Sequence, residues 1–190
     1  MKYGNRNGQV ALGRGIVSAS NAYVTGYNAA NLDAVTDSLS TAATGMDYGT
    51  TANSTTHMKL FGIEDFWGCI WEWVDGFTTD ASRNIITSWN SFSGEPVETV
   101  TSVTTSSGLT ANASGWNKKV IGNSQAGFMP IEFGGSSSTF WADYGGLYAS
   151  CVLHFGGSWT NGDSAGPFGL AAINGASHRY AAVGARLSYN

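Results

Sequence analysis

Residues 60–77 read L-F-G-I-E-D-F-W-G-C-I-W-E-W-V-D-G-F and hold three of the seven tryptophans of the chain. No other window carries so much large apolar surface. From Cys69 to Asp75 the side chains alternate, with Cys69, Trp71, Trp73 and Asp75 on one face and Ile70, Glu72 and Val74 on the other. A period of two is strand periodicity. Asp75-Gly76 then supplies turn chemistry. Tryptophans bury large areas, so this stretch is expected to be the central core strand. The competing reading is an exposed aromatic platform for a ligand. The apolar opposite face, Ile70 and Val74, favours a strand covered on both sides.

At 190 residues the chain suits one domain with a real core. We divide it into a loop-rich part (1–56), a core with inserted loops (57–159) and a final segment (160–190). Charged residues make up 12% and aromatics 13%. That balance opposes disorder, which needs few aromatics and much charge. A net charge of -4 with no basic stripe argues against nucleic acid as a partner. No apolar run is long enough for a membrane-spanning helix, so no membrane insertion is expected. Nor does Met1-Lys2-Tyr3 open a signal peptide. The two cysteines, Cys69 and Cys151, sit in apolar runs and read as buried, reduced thiols. A bridge between them requires adjacent strands in register.

Along the chain, Met1–Gly15 reads as a polar, Gly-rich loop or short strand, with Val10, Leu12, Ile16 and Val17 as its anchors. Asn31 caps a short helix with Leu32, Val35 and Leu39 on one stripe. Residues 62–68 have the spacing of one helical turn, and Gly68 lets the chain turn into the strand. Strands are expected around Ile85–Trp89 and over Val97–Val103, with a turn at Ser93–Pro96. Residues 106–115 read as a loop and Trp116–Ile121 as a hairpin arm. Pro130 makes Phe128–Phe133 a loop or edge strand. Residues 134–139 read as a flexible loop. Leu147–Phe155 reads as one buried strand, and Ala182–Tyr189 as a closing strand.

Three blocks together resemble a known signature: G-C-I-W-E-W at 68–73, F-G-G-S-W at 155–159 and V-G-A-R at 183–186. They resemble the C-type-lectin-like domains shared by formylglycine-generating enzymes and the variable proteins of diversity-generating retroelements. The order G-I-E-D-F-W-G (62–68), G-G-S-S-S-T (134–139), D-Y-G-G-L-Y-A-S (143–150) and A-G-P-F (165–168) is similar to phage or prophage tail-fibre proteins. The resemblance spans Arg14 to Leu187. It implies an α+β, C-type-lectin-like fold, loop-rich, with small twisted antiparallel sheets and one or two short helices. Such proteins carry more sequence ahead of the Gly13-Arg14-Gly15 segment. That leaves open a C-terminal piece whose fold lacks or borrows an edge element.

Enzymatic chemistry does not carry over. The formylglycine type needs reactive cysteines near the C-terminus, and residues 160–190 contain none. His57, His154 and His178 lack ligand spacing for a metal. His154 reads as structural and His178 as part of an exposed loop. Glu95-Pro-Val and Trp159-Thr-Asn are incomplete matches to calcium lectin motifs. Ser158, His154 and Asp163 lie close in sequence, which is not triad geometry, and no nucleophile elbow is present. No cofactor is expected.

In residues 160–182, small and polar residues are interleaved with the anchors Trp159, Phe168 and Leu170. Many side chains on a rigid frame suit a binding surface. In the retroelement proteins this is the diversified region. The resemblance therefore nominates Trp159, Thr160, Asn161, Asp163, Ser164, Pro167, Gly169, Ala171, Asn174, His178, Arg179, Tyr180 and Ala182 as ligand-binding. Arg179 and Tyr180 lead, since Arg and Tyr dominate hot spots. The implied protein is the receptor-binding tip of a tail fibre in a virion, a homo-oligomer such as a trimer. It would recognise a bacterial surface protein or glycan. The alternatives are a structural tail protein that uses the same face for assembly, and a degenerate enzyme of the formylglycine type.

Overall fold

The structure, a computed structural model, describes residues 9, 15–18, 59–60, 63–89, 101–123, 127–136, 138 and 143–185. The expected helix at 31–39, the turn at 93–96, residues 97–100 and the chain beyond Ala185 lie outside the described residues.

The architecture is mostly β. Short strands β1 (Lys59–Leu60) and β2 (Ile63–Glu64) pair with each other. The remaining strands are β3 (Trp71–Thr79), β4 (Ile85–Trp89), β5 (Thr101–Thr105), β6 (Ala113–Asn123), β7 (Gly127–Phe133), β8 (Tyr144–Leu147), β9 (Val152–Phe155), β10 (Leu170–Asn174) and β11 (Val183–Gly184). They form one curled sheet in the order β5-β4-β3-β9-β10-β8-β6-β7, with β11 added to β3. Neighbours run antiparallel except β8 with β10 and β3 with β11, which are parallel.

This corrects the α+β expectation. Among the described residues, helix is limited to Gln9 and the 3-10 turn Gly162–Ser164. Among the described residues one nine-stranded sheet and the small β1–β2 pair stand in place of several small antiparallel sheets. Runs rich in Val, Ile, Thr and aromatics alternate with Gly-rich connections, which favours strands throughout. Of the expected helical turn at 62–68, residue 62 lies outside the described residues, and residues 63–68 are the short strand β2 followed by a turn and bends, with Asp65 at φ 47°. No described helix is long and apolar enough to cross a membrane.

The central strand begins later than its alternation suggests. Gly68 and Cys69 have φ of 77° and 58°, so Cys69 belongs to the turn that feeds β3. That turn is locked to two segments: the Cys69 N–H donates to the Ile16 carbonyl at 2.7 Å, and the Gly68 N–H donates to the carbonyl of Gly156, just after β9, at 3.3 Å. A Cβ on Gly68 would lie 2.7 Å from the Ile16 carbonyl oxygen. Left-handed backbone and close approach both demand glycine there. Gly68→Ala is therefore expected to destabilise by roughly 2 kcal/mol or more, read as a lower midpoint in a urea melt. A neutral result would mean the Ile16 segment does not dock on this turn.

Asp75-Gly76 also differs from expectation. The strand does not turn; it bulges. Trp73 pairs with His154 and Thr78 with Val152, so the β3 side holds extra residues. Gly76, at φ 71°, takes up the bulge. The expected single strand 147–155 is likewise two strands. Tyr148–Cys151 reverses the chain, with Ser150 at φ 56°, and β10 lies between β8 and β9. Of the two readings for Phe128–Phe133, the edge strand is the one adopted. Pro130 sits in β7, the last strand of the sheet path.

The largest core cluster holds Phe77, Ile85, Met129, Leu147, Cys151, Leu153 and Ala172. Two smaller clusters lie where the N-terminal segment docks: Val17, Leu60, Trp67 and Ala165, and beside them Ile16, Cys69, Trp159 and Ala182. Both cysteines are buried and outside any disulfide, each in a different cluster. Trp67 is 1% exposed, whereas Trp71 and Trp73 are only half-buried. The buried weight of the tryptophan-rich stretch thus falls one turn earlier than the strand.

Candidate ligand-binding surface

The sheet has two faces, and its side chains alternate between them. Leu153 and Ala172 belong to the core, and Val74 packs against it. Their neighbours His154, Ala171 and Trp73 therefore lie on the opposite face. Register places these three side by side on adjacent strands, with Trp73 opposite His154 and His154 opposite Ala171.

One segment crosses this face. The chain leaves β10 at Asn174, beside Val152, and rejoins the sheet at Val183, beside Trp71. Because β9 occupies one edge of β3 at Glu72 and Trp73, β11 must take the other edge. Residues 175–182 consequently run back over β9 and β3 as a strap. Edge-on and tilted ring contacts mark its path. The His154 ring lies 4.0 Å from that of Trp73 and 6.4 Å from that of Trp71. His178, on the strap, sits edge-on to His154 at 6.2 Å, and Tyr180 lies 6.3 Å from His178. The strap is shaped by two turns, His178 N–H to Gly175 O at 2.9 Å and Val183 N–H to Tyr180 O at 3.1 Å. Arg179 is exposed, and Tyr180, at 65% exposure, is the largest outward apolar group of the strap.

The chemistry of His154 follows from its neighbours. Its Nδ1 lies 3.1 Å from the Ala171 carbonyl oxygen. A carbonyl only accepts, so Nδ1 carries the proton and Nε2 presents a lone pair. Nε2 is buried with no hydrogen-bond partner. Burial holds the ring's pKa below the usual histidine value, the Ala171 bond works against that, and the nearby His178 adds a further lowering. The ring is neutral around pH 7.

The nominated residues divide into two regions. Thr160 and Asp163 are exposed, and Asn161, Ser164 and Pro167 are half-buried around the 3-10 turn. Asn161 Oδ1 accepts from the Ser158 N–H at 2.8 Å and the Ser158 hydroxyl at 2.7 Å, and Ser164 Oγ donates to Asn161 O at 2.6 Å. These polar side chains brace the turn. Asn174 and His178 are half-buried and Arg179 and Tyr180 exposed on or beside the strap. Trp159, Gly169, Ala171 and Ala182 are buried, so they offer no side chain to solvent. Trp159 and Ala182 share a core cluster. The segment fails to form one display surface because β10 runs through its middle as an interior strand.

Residues the sequence did not nominate lie beneath or beside the strap: the half-buried Trp71 and Trp73 and the buried His154. The signal was the alternation of Trp71 and Trp73, which also fits the platform reading. The proximity of His154 required the fold. Ser158, His154 and Asp163 form no triad: the Ser158 hydroxyl bonds Asn161, and the His154 proton bonds Ala171. Among the described residues no group of three or more His, Cys, Asp or Glu could hold a metal ion.

Two of the sequence motifs meet at a second, fully buried site. Asp143 Oδ2 accepts the Phe168 N–H at 2.7 Å, and Asn117 Nδ2 donates to the Phe168 carbonyl at 2.7 Å. The two side chains clamp one peptide of the turn 166–169, which is closed by Gly169 N–H to Gly166 O at 3.0 Å. Gly166 rests against the Asp143 carboxyl with no room for a Cβ. Burial pushes the Asp143 carboxyl up to about 7, overcoming the opposing Phe168 hydrogen bond. This clamp anchors the chain that leads into β10 and then the strap.

No protein-family model, curated protein or solved structure matches this chain.

Proposed function

We propose that this chain is a ligand-binding domain that presents the strap, with Arg179 and Tyr180 outermost, to a molecule on a bacterial surface. By the resemblance of its motifs, it is the receptor-binding part of a phage or prophage tail fibre, carried on the virion. The observation that supports this most directly is the exposed Tyr180 beside an exposed Arg179, next to His178, whose ring meets His154 of the sheet edge-on. Arg and Tyr dominate binding hot spots, because each brings a large contact area together with hydrogen-bonding groups. Oligomeric presentation would raise a weak site affinity by about 10²–10⁴.

The test is a double substitution, Arg179→Ala with Tyr180→Ala, assayed for adsorption to bacterial cells. Adsorption is expected to fall by at least about tenfold, with the melting temperature within a few degrees of the parent. Unchanged adsorption sinks the reading. Unchanged adsorption together with loss of the oligomer would instead favour a strap used for assembly.

A further inference from the structure

We propose that the strap 175–182 is a lid over a carbohydrate subsite, in which a sugar ring packs on Trp73 and one of its hydroxyls donates to His154 Nε2. This rests on the reading of the strap as the ligand-facing surface and names the ligand chemistry beneath it.

Three observations carry it. The first is the orphaned acceptor. His154 is 2% exposed, its Nδ1 proton is committed to Ala171, and its Nε2 lone pair has no donor. A buried acceptor left unpaired costs about 1–3 kcal/mol. A site that must receive a donor from elsewhere accounts for it.

The second is how the strap is held. Among the described residues no hydrogen bond joins residues 176–181 to the sheet; its own two turns and the Trp71 N–H to Ala182 O bond at 2.7 Å secure it. Between those ends, among the described residues, the ring contact of His178 with His154 joins the lid to the sheet, and residues 176, 177 and 179–181 are exposed. Gly175 begins it, with nothing within 4 Å of where a Cβ would be. Such a segment opens at low cost, because few buried contacts and no ladder hydrogen bonds are lost.

The third is the chemistry of what the lid covers. The row Trp73, His154 and Ala171 is uncharged, with indole, neutral imidazole and a methyl group in register. An occupant must bring a hydrogen-bond donor at one edge and an apolar face for an aromatic ring. A pyranose has both, with axial C–H groups on its face and hydroxyls around its rim. A charged ligand finds no counter-charge in this row.

The experiment uses the full chain labelled with ¹⁵N at histidine and uniformly in the backbone. It is titrated separately with oligosaccharides of glucose, galactose, N-acetylglucosamine and rhamnose. At least one is expected to shift the His154 Nε2 resonance saturably and to change tryptophan fluorescence, with a Kd in the millimolar range. Trp73→Leu should weaken that binding at least tenfold, and Trp73→Phe, which keeps a ring, should restore part of it if the leucine variant is poorly folded. Shifts at Tyr180 without any at His154 would overturn the lid and leave the exposed strap as the ligand face. No response at His154 from any of the four overturns the subsite, while adsorption of the Arg179 and Tyr180 variant independently decides the wider reading.

Discussion

Truncating Trp67 to alanine is expected to destabilise the domain by about 3–5 kcal/mol, read as a shift in the midpoint of a urea melt. Trp67 is 1% exposed and belongs to the cluster with Val17, Leu60 and Ala165. Phe66 meets it edge-on at 6.2 Å and meets Phe155 at 5.2 Å. Removing the indole leaves a cavity bounded by the N-terminal segment, β1 and the chain after the 3-10 turn. Those elements come from distant parts of the sequence, so they cannot collapse together without breaking the Gly68 and Cys69 hydrogen bonds. Trp71→Ala is expected to cost clearly less, about 1–2 kcal/mol, because Trp71 is half-buried on the outer face. The order of the two matters most. A larger loss for Trp71 than for Trp67 would place the core on the wrong side of Gly68.

The second large effect is a dependence on pH. Asp143 is an acid whose pKa is raised by folding, from 3.8 to about 7. The folded state then holds a proton that the unfolded chain has released. The slope of stability with pH is negative wherever the native state binds more protons. The contribution is fully present below about pH 4. It is lost at up to roughly 1.4 kcal/mol per unit as pH rises to about 7, on the order of 4 kcal/mol across the window. Asp143→Asn should remove this slope while its amide oxygen still accepts the Phe168 N–H. The difference in stability between variant and parent, measured from pH 4 to pH 8, should therefore grow in favour of the variant. His154 works in the opposite direction, losing stability as pH falls below the ordinary histidine value. Both proteins share it, so it cancels in the difference. A difference that stays flat with pH would mean the Asp143 carboxyl is ionised throughout, with a counter-charge or water beside it.

Particular residues show why the sequence was legible in part. Trp71 and Trp73 alternate, and a strand follows, because a pleated backbone sends every second side chain to one face. Phe128–Phe133 reads as a loop or an edge strand, never an interior one, because Pro130 lacks the N–H that an interior strand must donate. Gly68 read as a sharp turn because only glycine enters the left-handed region without strain. The misreadings are equally physical. Asp75-Gly76 suits a reversal and a bulge alike, and the flanking pairing with β9 selected the bulge. Leu147–Phe155 is apolar enough for one strand, yet Ser150 in the left-handed region breaks it, which serine's side chain does not announce. The short-helix spacing at 62–68 lost to the β1–β2 pairing, since a turn of few residues has no stability of its own.

The same division holds for the candidate surface. Local pattern determined several individual strands, the burial of the two thiols and the mix of anchors with small polar groups in residues 160–182. Each of these is local, fixed by what a side chain does to its own backbone and to water. Only the tertiary structure decided that β9 lies between β3 and β10, that the strap must cross this trio to reach the far edge of β3, and that His154 ends beneath His178. Those are choices among strand neighbours far apart in sequence. Several pairings satisfy the same alternation, so the selection falls to packing of the whole sheet rather than to any one stretch.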